Sequence, residues 1–289
     1  MTAAVPPAPT DHDIAVNGIT LRYATWGAYT TPQRAVLLIH GITASSRYWA
    51  LAGPALAAQG WYVIAPDLRG RGMSDKPPHG YGIPFHVNDL LALCDALDLA
   101  SVNVVGHSLG AHIALFMAAL YGPRVHRLVL ADGGGKVPDD ALDAVASSVK
   151  RLGIEWPSVE AYVDALRQAA PFPWTPFWDA YYRYDAGVRP DGTVTSRMPL
   201  AAYREEVAVL DATRTETLAA LVRAPTLIVR ATVGTKTPTT GFVLPAAEAE
   251  RMRATIPDCQ LVELPDTNHY TVILVDAFAR EVLAFLSAA

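Results

Sequence analysis

Cysteine is scarce in this 289-residue chain: Cys94 and Cys259 are the only two, too few and too far apart for a disulfide framework or a thiolate metal site. Both are expected to be reduced, in a cytoplasmic protein. No apolar run approaches the roughly 18 residues that a membrane span requires, so no membrane association is expected. Basic blocks are missing as well. With a formal net charge of -5 and a pI near 5.9, the chain is a poor partner for a phosphate backbone, and nucleic acid is excluded as a ligand. Met1 to Thr10 holds no basic residue and no apolar core but three prolines, which predicts a loose leader rather than a secretory signal or transit peptide. Internal repeats, low-complexity tracts, and nucleotide- or metal-binding patterns are absent, so neither cofactor nor metal is expected.

What remains is the composition of an ordinary folded protein, 51% hydrophobic and 18% charged. The length suits two domains of about 150 residues or one large α/β domain with an insertion. Ile14 to Val16 and Ile19 to Ala24 flank Asn17-Gly18, the composition of a tight hairpin at a sheet edge. The apolar run Ala35 to Ile39 reads as a strand covered on both faces, followed by a helix from Tyr48 to Ala58. Trp61 to Ala65 is the next strand. A helix from Pro84 to Leu99, a strand from Ser101 to Val105, a helix from Ala111 to Leu120 and a strand from His126 to Ala131 continue the alternation. Strand and helix in turn predict an α/β fold with a mostly parallel, doubly wound sheet.

From Lys136 to Arg223 the alternation stops, with helical patches at Ala141 to Leu152, Val159 to Ala169 and Ala201 to Leu221 and no convincing strand. It resumes with strands Thr226 to Arg230 and Gln260 to Leu264 and helices Ala246 to Ala254 and Val275 to Leu286. Within the interruption, Pro171 to Tyr184 packs seven aromatic residues into fourteen positions, in a chain with 25 aromatics overall. Rings so concentrated need burial, in a small core of their own or over a substrate cavity. Trp174, Trp178 and Tyr181 are the candidates for substrate contact.

The most specific signal is Gly106-His107-Ser108-Leu109-Gly110, set between a strand and a helix. A serine at the apex of so sharp a turn is strained, and side chains two residues to either side would crowd it, so both flanks are glycine. Its hydroxyl faces a helix N-terminus, which favours negative charge. Serine needs a base to become a nucleophile at neutral pH, and imidazole suits the task. Of eight histidines, His269 is the best placed, on a loop just past the last strand and at the sheet edge where Ser108 emerges. His40 and His107 read as turn supports, and His112, one turn beyond Ser108, is a weaker pocket candidate.

These features together resemble an α/β-hydrolase with a helical cap inserted after the sixth strand. The resemblance rests on His40-Gly41, on Asp67-x-Arg69-Gly70-x-Gly72-x-Ser74, on Gly106-x-Ser108-x-Gly110 and on the late His269. It implies a core of residues 11–135 and 222–289 with a cap over 136–221. It also implies a nucleophile, acid and base in that chain order, and an oxyanion hole made by the backbone amides of Ile42 and Leu109. The commonest acid position in the family, the loop after the seventh strand, is empty here: Ala231 to Ala247 contains no carboxylate. Other members place the acid after the sixth strand, which points to Asp132, with the glycines behind it free to turn it inward. Asp266 shares a short loop with His269, and Glu248 lies in a helix, so neither is favoured as the orienting group. A serine nucleophile, where epoxide- and halide-cleaving members use aspartate, leaves hydrolysis of an apolar carboxylic ester or lactone through an acyl-enzyme as the expected reaction. Amide or C–C bond hydrolysis stays open, with Arg183 or Arg230 as partners for a substrate carboxylate, and so does a non-enzymatic ligand receptor on the same fold. Oligomeric state is left open by these residues.

Overall fold

The computed structural model describes residues 7–142 and 149–288. Strands β1 (Thr10–Val16) and β2 (Ile19–Trp26) meet at Asn17-Gly18 with Val16 opposite Ile19. Both turn residues have positive φ, 48° and 77°, the geometry that two-residue hairpins need to match strand twist. The strands run longer than the apolar pattern predicts, with β1 starting at Thr10 inside the expected leader.

β3 (Ala35–Ile39) is buried along its whole length. The single helix expected over Tyr48 to Ala58 is instead a short 3-10 turn, Ser46–Trp49, followed by α1 (Ala52–Ala57). Pro54 explains the restart, since proline is tolerated only in a helix's first turn. β4 (Tyr62–Pro66), α2 (Ile83–Ala96), β5 (Val102–His107), α3 (Leu109–Leu120) and β6 (Val125–Ala131) follow in alternation.

Between β6 and the next sheet strand lie α4 (Val159–Ala169), α5 (Pro176–Asp185), strands β7 (Ala186–Val188) and β8 (Val194–Ser196), and α6 (Leu200–Thr213). Ser158 caps α4 by accepting the Ala161 N–H at 3.1 Å. The β7/β8 hairpin corrects the expectation that this stretch is free of strands. Each strand is only three residues long, too short for a periodic pattern, although Pro190-Asp191-Gly192 at its tip is a turn signature. Residues 143–148 of the expected helical patch Ala141 to Leu152 lie outside the described residues. A 3-10 segment, Thr215–Leu221, leads to β9 (Thr226–Ala231), then α7 (Ala246–Thr255), β10 (Cys259–Leu264) and α8 (Asp276–Ser287).

The main sheet has eight strands in the order β1-β2-β4-β3-β5-β6-β9-β10, and all run parallel except β2. Side chains alternate between its faces, so each central strand feeds two cores. Leu37, Ile39, Val104, Leu128 and Ile228 pack with α2, α3 and α7 on one side. Val36, Leu38, Val105, Val129 and Leu227 pack with α1 and α8 on the other. The C-terminal edges of β3, β5, β6 and β10 therefore come together at one rim, under Trp178 and Tyr181 of α5, which join the second core. No helix among the described residues is long and apolar enough to cross a membrane.

Candidate active site

Ser108 stands between β5 and α3 with φ 57° and ψ -122°, a conformation costly for any residue with a Cβ. Its N–H bonds to the Ala131 carbonyl at the end of β6 (3.1 Å), which ties the turn to the neighbouring strand. The flanking glycines are required for a reason more particular than crowding of the serine. A Cβ on Gly106 would lie 2.1 Å from the Gly110 carbonyl oxygen, and one on Gly110 would lie 2.1 Å from that of Ile39. The turn closes on itself and on β3, and only hydrogen fits at either place.

His269, on the loop after β10, brings Nε2 to 3.0 Å from Ser108 Oγ and Nδ1 to 2.8 Å from Asp132 Oδ2. Asp132 follows β6 directly. It takes a positive φ itself, 45°, and Gly134 behind it takes another, 87°. Its N–H bonds to the Val229 carbonyl (2.8 Å), and its Oδ1 accepts the Ala231 N–H (3.1 Å). The end of β9 thus holds the carboxylate while Oδ2 meets the imidazole. Asp266 lies exposed on the turn before His269 and Glu248 on α7, where its Oε1 accepts the Lys136 N–H. Neither approaches the imidazole.

On the other side of Ser108 lies the loop after β3. A Cβ on Gly41 would be 3.1 Å from Ser108 Cβ, so this backbone rests against the serine. The Gly41 carbonyl accepts from His40 Nδ1 (2.8 Å) and from the Ala44 N–H (3.1 Å), while His40 Nε2 accepts the Leu68 N–H (3.0 Å). These bonds fix the His40 tautomer. In a trans peptide the Ile42 N–H points opposite to the held Gly41 carbonyl. Leu109 opens α3, so its N–H is among the first-turn amides that have no acceptor within the helix.

Several histidines near this rim are buried neutral. Burial pushes His40 down to about 3 and His112 down to about 4, against an ordinary 6.5. Burial, reinforced by neighbouring His269, also lowers His107, whose Nε2 donates to the His269 carbonyl (2.9 Å). An unfolded chain takes up protons at His40 and His112 below pH 6.5, while the fold refuses them until about 3 and 4 respectively. The stability contributed by these two groups is complete above that upper value and is lost as pH falls, at about 1.4 kcal/mol per pH unit for each imidazole. Replacing His112 by Gln is expected to reduce the pH dependence of unfolding free energy between about pH 6 and 4.5 by about that amount, read by urea denaturation. An unchanged slope would mean that His112 is protonated in the folded protein.

Above Ser108 and His269 is a cavity of about 60 Å³, floored by Gly41, Ile42 and Ser108. Tyr48, Trp178, Tyr181 and Tyr182 form its aromatic wall, and Arg151 adds a cationic edge. Tyr48 is pinned by its hydroxyl to the Tyr270 carbonyl (2.6 Å) and packs against Trp178 and Tyr181 at ring separations of 5.9 and 5.5 Å. Of the three aromatic candidates, Trp178 and Tyr181 line the cavity and Trp174 does not. Trp174 stacks on Tyr182 at 5.5 Å, with the Arg167 guanidinium 5.5 Å over its face, so it serves the packing behind the wall. His112 is also off the wall. Arg230 and Arg183 are held in ordinary ion pairs, with Glu263 (2.7 Å) and Asp179 (2.8 Å). Arg151 and Tyr48 reach the cavity without a local sequence signal, since each is placed there by packing between distant segments, whereas Tyr182 belongs to the aromatic run and only its choice over Trp174 is set by packing.

A strand-turn-helix serine at the rim of a mostly parallel sheet is the architecture of the α/β hydrolases. The chain belongs to that family, whose profile, described as alpha/beta hydrolase fold, matches residues 34–274. The 2-(acetamidomethylene)succinate hydrolase of Mesorhizobium japonicum is 31% identical over 241 residues, 81% of each chain. A solved structure of an E-2-(acetamidomethylene)succinate hydrolase shares the fold with a TM-score of 0.83 at 24% identity, over 97% of this chain and 100% of that one. An uncharacterized protein of Mycobacterium tuberculosis is 40% identical over 126 residues, a match that spans 42% of this chain and 37% of that relative's length.

Proposed function

We propose that this chain is a serine hydrolase that cleaves a carboxylic ester or lactone with an apolar moiety. The observation that carries the reading is the hydrogen-bonded series Asp132 Oδ2, His269, Ser108 Oγ at the floor of an aromatic-walled cavity. In this reading Asp132 fixes the imidazole with its proton on Nδ1, leaving Nε2 to take the Ser108 proton as Oγ attacks the carbonyl carbon. The carbonyl oxygen becomes an oxyanion on the amides of Ile42 and Leu109, and each such donor is typically worth about 10² to 10³ in rate. His269 returns the proton to the departing alcohol, the acyl group remains on Ser108, and a water activated by His269 releases it as the acid. Residues 136–221 act as the cap that carries Trp178, Tyr181 and Tyr182 of the aromatic wall. A panel of nitrophenyl esters and lactones tests the reading. Turnover that vanishes in Ser108→Ala supports it, and tight binding without turnover of any compound would favour a receptor instead.

Arg151 is paired with Asp185 (3.2 Å) but, unlike Arg183 and Arg230, lines the cavity, and it favours a second reading, in which the substrate also carries a carboxylate. The name of the Mesorhizobium relative, a substituted succinate hydrolase, points the same way. A charge-assisted contact contributes roughly 1.5 to 3 kcal/mol, so Arg151→Met is expected to lower kcat/KM for an acidic ester, relative to its neutral counterpart, by about 10- to 100-fold. An unchanged ratio would remove the acidic substrate from consideration.

A further inference from the structure

Three successive carbonyls of the loop after β3 are held from outside the loop's own backbone, and two of the holders are buried arginines. Gly41 is held by His40, a residue of the sheet edge. The Ile42 carbonyl accepts from Arg71 Nε (3.0 Å), and the Thr43 carbonyl accepts from Arg151 Nη2 (2.8 Å). Each guanidinium is in turn paired with a carboxylate from the segment between β6 and β9. Arg71 Nη2 bonds to Glu206 of α6 (2.7 Å), and both side chains are fully buried. Arg151 Nε bonds to Asp185 of α5 (3.2 Å), which also accepts from Tyr162 and Ser196.

We propose that Arg71 and Arg151 are positioning residues that couple the seating of this segment to the orientation of the Ile42 amide. That N–H lies in the Gly41–Ile42 peptide plane, and the next plane, Ile42–Thr43, limits how the first can tilt through the Ile42 φ and ψ. His40 holds the first from within the core, whatever the segment does. Arg71 holds the second, and Arg71 itself is anchored by Glu206. Burial raises the Glu206 carboxyl, but His86 (2.6 Å away) and Arg71 outweigh it and hold it at about 2, so the partner of Arg71 is a full anion. A buried guanidinium deprived of its anion is costly, and one that turns to water lets go of the Ile42 carbonyl. The cavity volume of about 60 Å³ has room for about four waters, and in this proposal an ester-sized substrate enters as the segment lifts. Entry separates Glu206 from Arg71, and separates Arg151, which travels with Asp185, from the Thr43 carbonyl; reseating over bound substrate restores both contacts and sets the amide. Two further bonds seat α6 on the loop after β4, which also carries Arg71, from Gly80 and Tyr81 N–H to Glu205 Oε1 (2.9 and 3.0 Å).

This inference rests on the serine-hydrolase reading, and its test keeps the two apart. A fluorophosphonate reacts at an activated serine irrespective of the natural substrate, and its phosphoryl oxygen occupies the oxyanion position. The rate of Ser108 labelling is to be measured in the wild type, Glu206→Gln, Arg71→Lys and Asp185→Asn, on material shown to be folded by circular dichroism. Labelling is expected to slow by about 10- to 100-fold in each folded variant, a part of what loss of one oxyanion donor costs. Ester turnover should show the drop in kcat with KM within about threefold, and Glu206→Asp should recover part of it. Arg71→Lys keeps the charge for Glu206 but lacks the fork that reaches three acceptors, so it carries the test if Glu206→Gln does not fold. Folded variants that label at the wild-type rate, with only a lower Tm, would overturn the coupling and leave the serine-hydrolase reading standing. A wild type that is not labelled at Ser108 would overturn both.

Discussion

Ser108→Ala is expected to reduce ester turnover per folded molecule by about 10⁴- to 10⁶-fold. Removing the nucleophile of a serine triad disables the base and the orienting acid along with it, which leaves only binding and the oxyanion donors. Folding should survive the change, since alanine is smaller than serine and the turn is held by Gly106, Gly110 and the Ser108 N–H rather than by the hydroxyl. Alanine at φ 57° still bears the strain of the turn, so the variant should match the wild type in Tm within a few degrees. Stopped assays with a nitrophenyl ester, together with a thermal melt, check both halves of the expectation. A variant that keeps substantial turnover would place the nucleophile elsewhere.

The second large effect is expected at Asp132. With asparagine there, Nδ1 of His269 faces an amide in place of a carboxylate, the imidazole loses its preferred tautomer, and kcat falls by about 10⁴-fold. KM should change little, because Asp132 lies behind the imidazole and does not line the cavity. Asparagine preserves the bond from the Ala231 N–H to Oδ1 and tolerates the φ of 45° that Asp132 adopts. The matched comparison is Asp266→Asn, on an exposed turn at φ 58°, which is expected to leave kcat within about twofold. The reverse ordering, with Asp266 decisive and Asp132 silent, would contradict the assignment.

The fold and the geometry of the candidate site differ in how much of them can be read along the chain. Local backbone constraint leaves a legible trace: the two glycines around Ser108, the Asn-Gly hairpin and the five-residue apolar run of β3 each force one local structure. The position of Asp132 is legible for a related reason. A carboxylate directly after a buried strand, followed by three glycines, has few places to go at the rim of a parallel sheet. The Tyr48 to Ala58 helix fails because the periodic pattern ignores the missing N–H of Pro54. The β7/β8 hairpin escapes periodicity because three residues cannot establish it. The aromatic run declares that rings will be buried and cannot say which of them face substrate. Trp174 and Tyr182 lie on one stretch, and only their packing against Arg167 and Tyr48's neighbours sends one behind the wall and the other onto it. Arg71 and Glu206 are 135 residues apart and leave no pattern at all. Their pairing exists only once α6 lies on the loop that follows β4.

The most direct test of the account is a trapped acyl-enzyme. The protein is mixed with a short-chain nitrophenyl ester and quenched in acid during the first turnovers, then intact mass and peptide mapping locate any adduct. The account predicts a mass increase of one acyl group on the peptide that contains Ser108, absent in Ser108→Ala and persisting longer in Asp132→Asn, where deacylation also needs an oriented His269. Turnover of the ester with no acyl group on Ser108, or with the adduct on another residue, would contradict it.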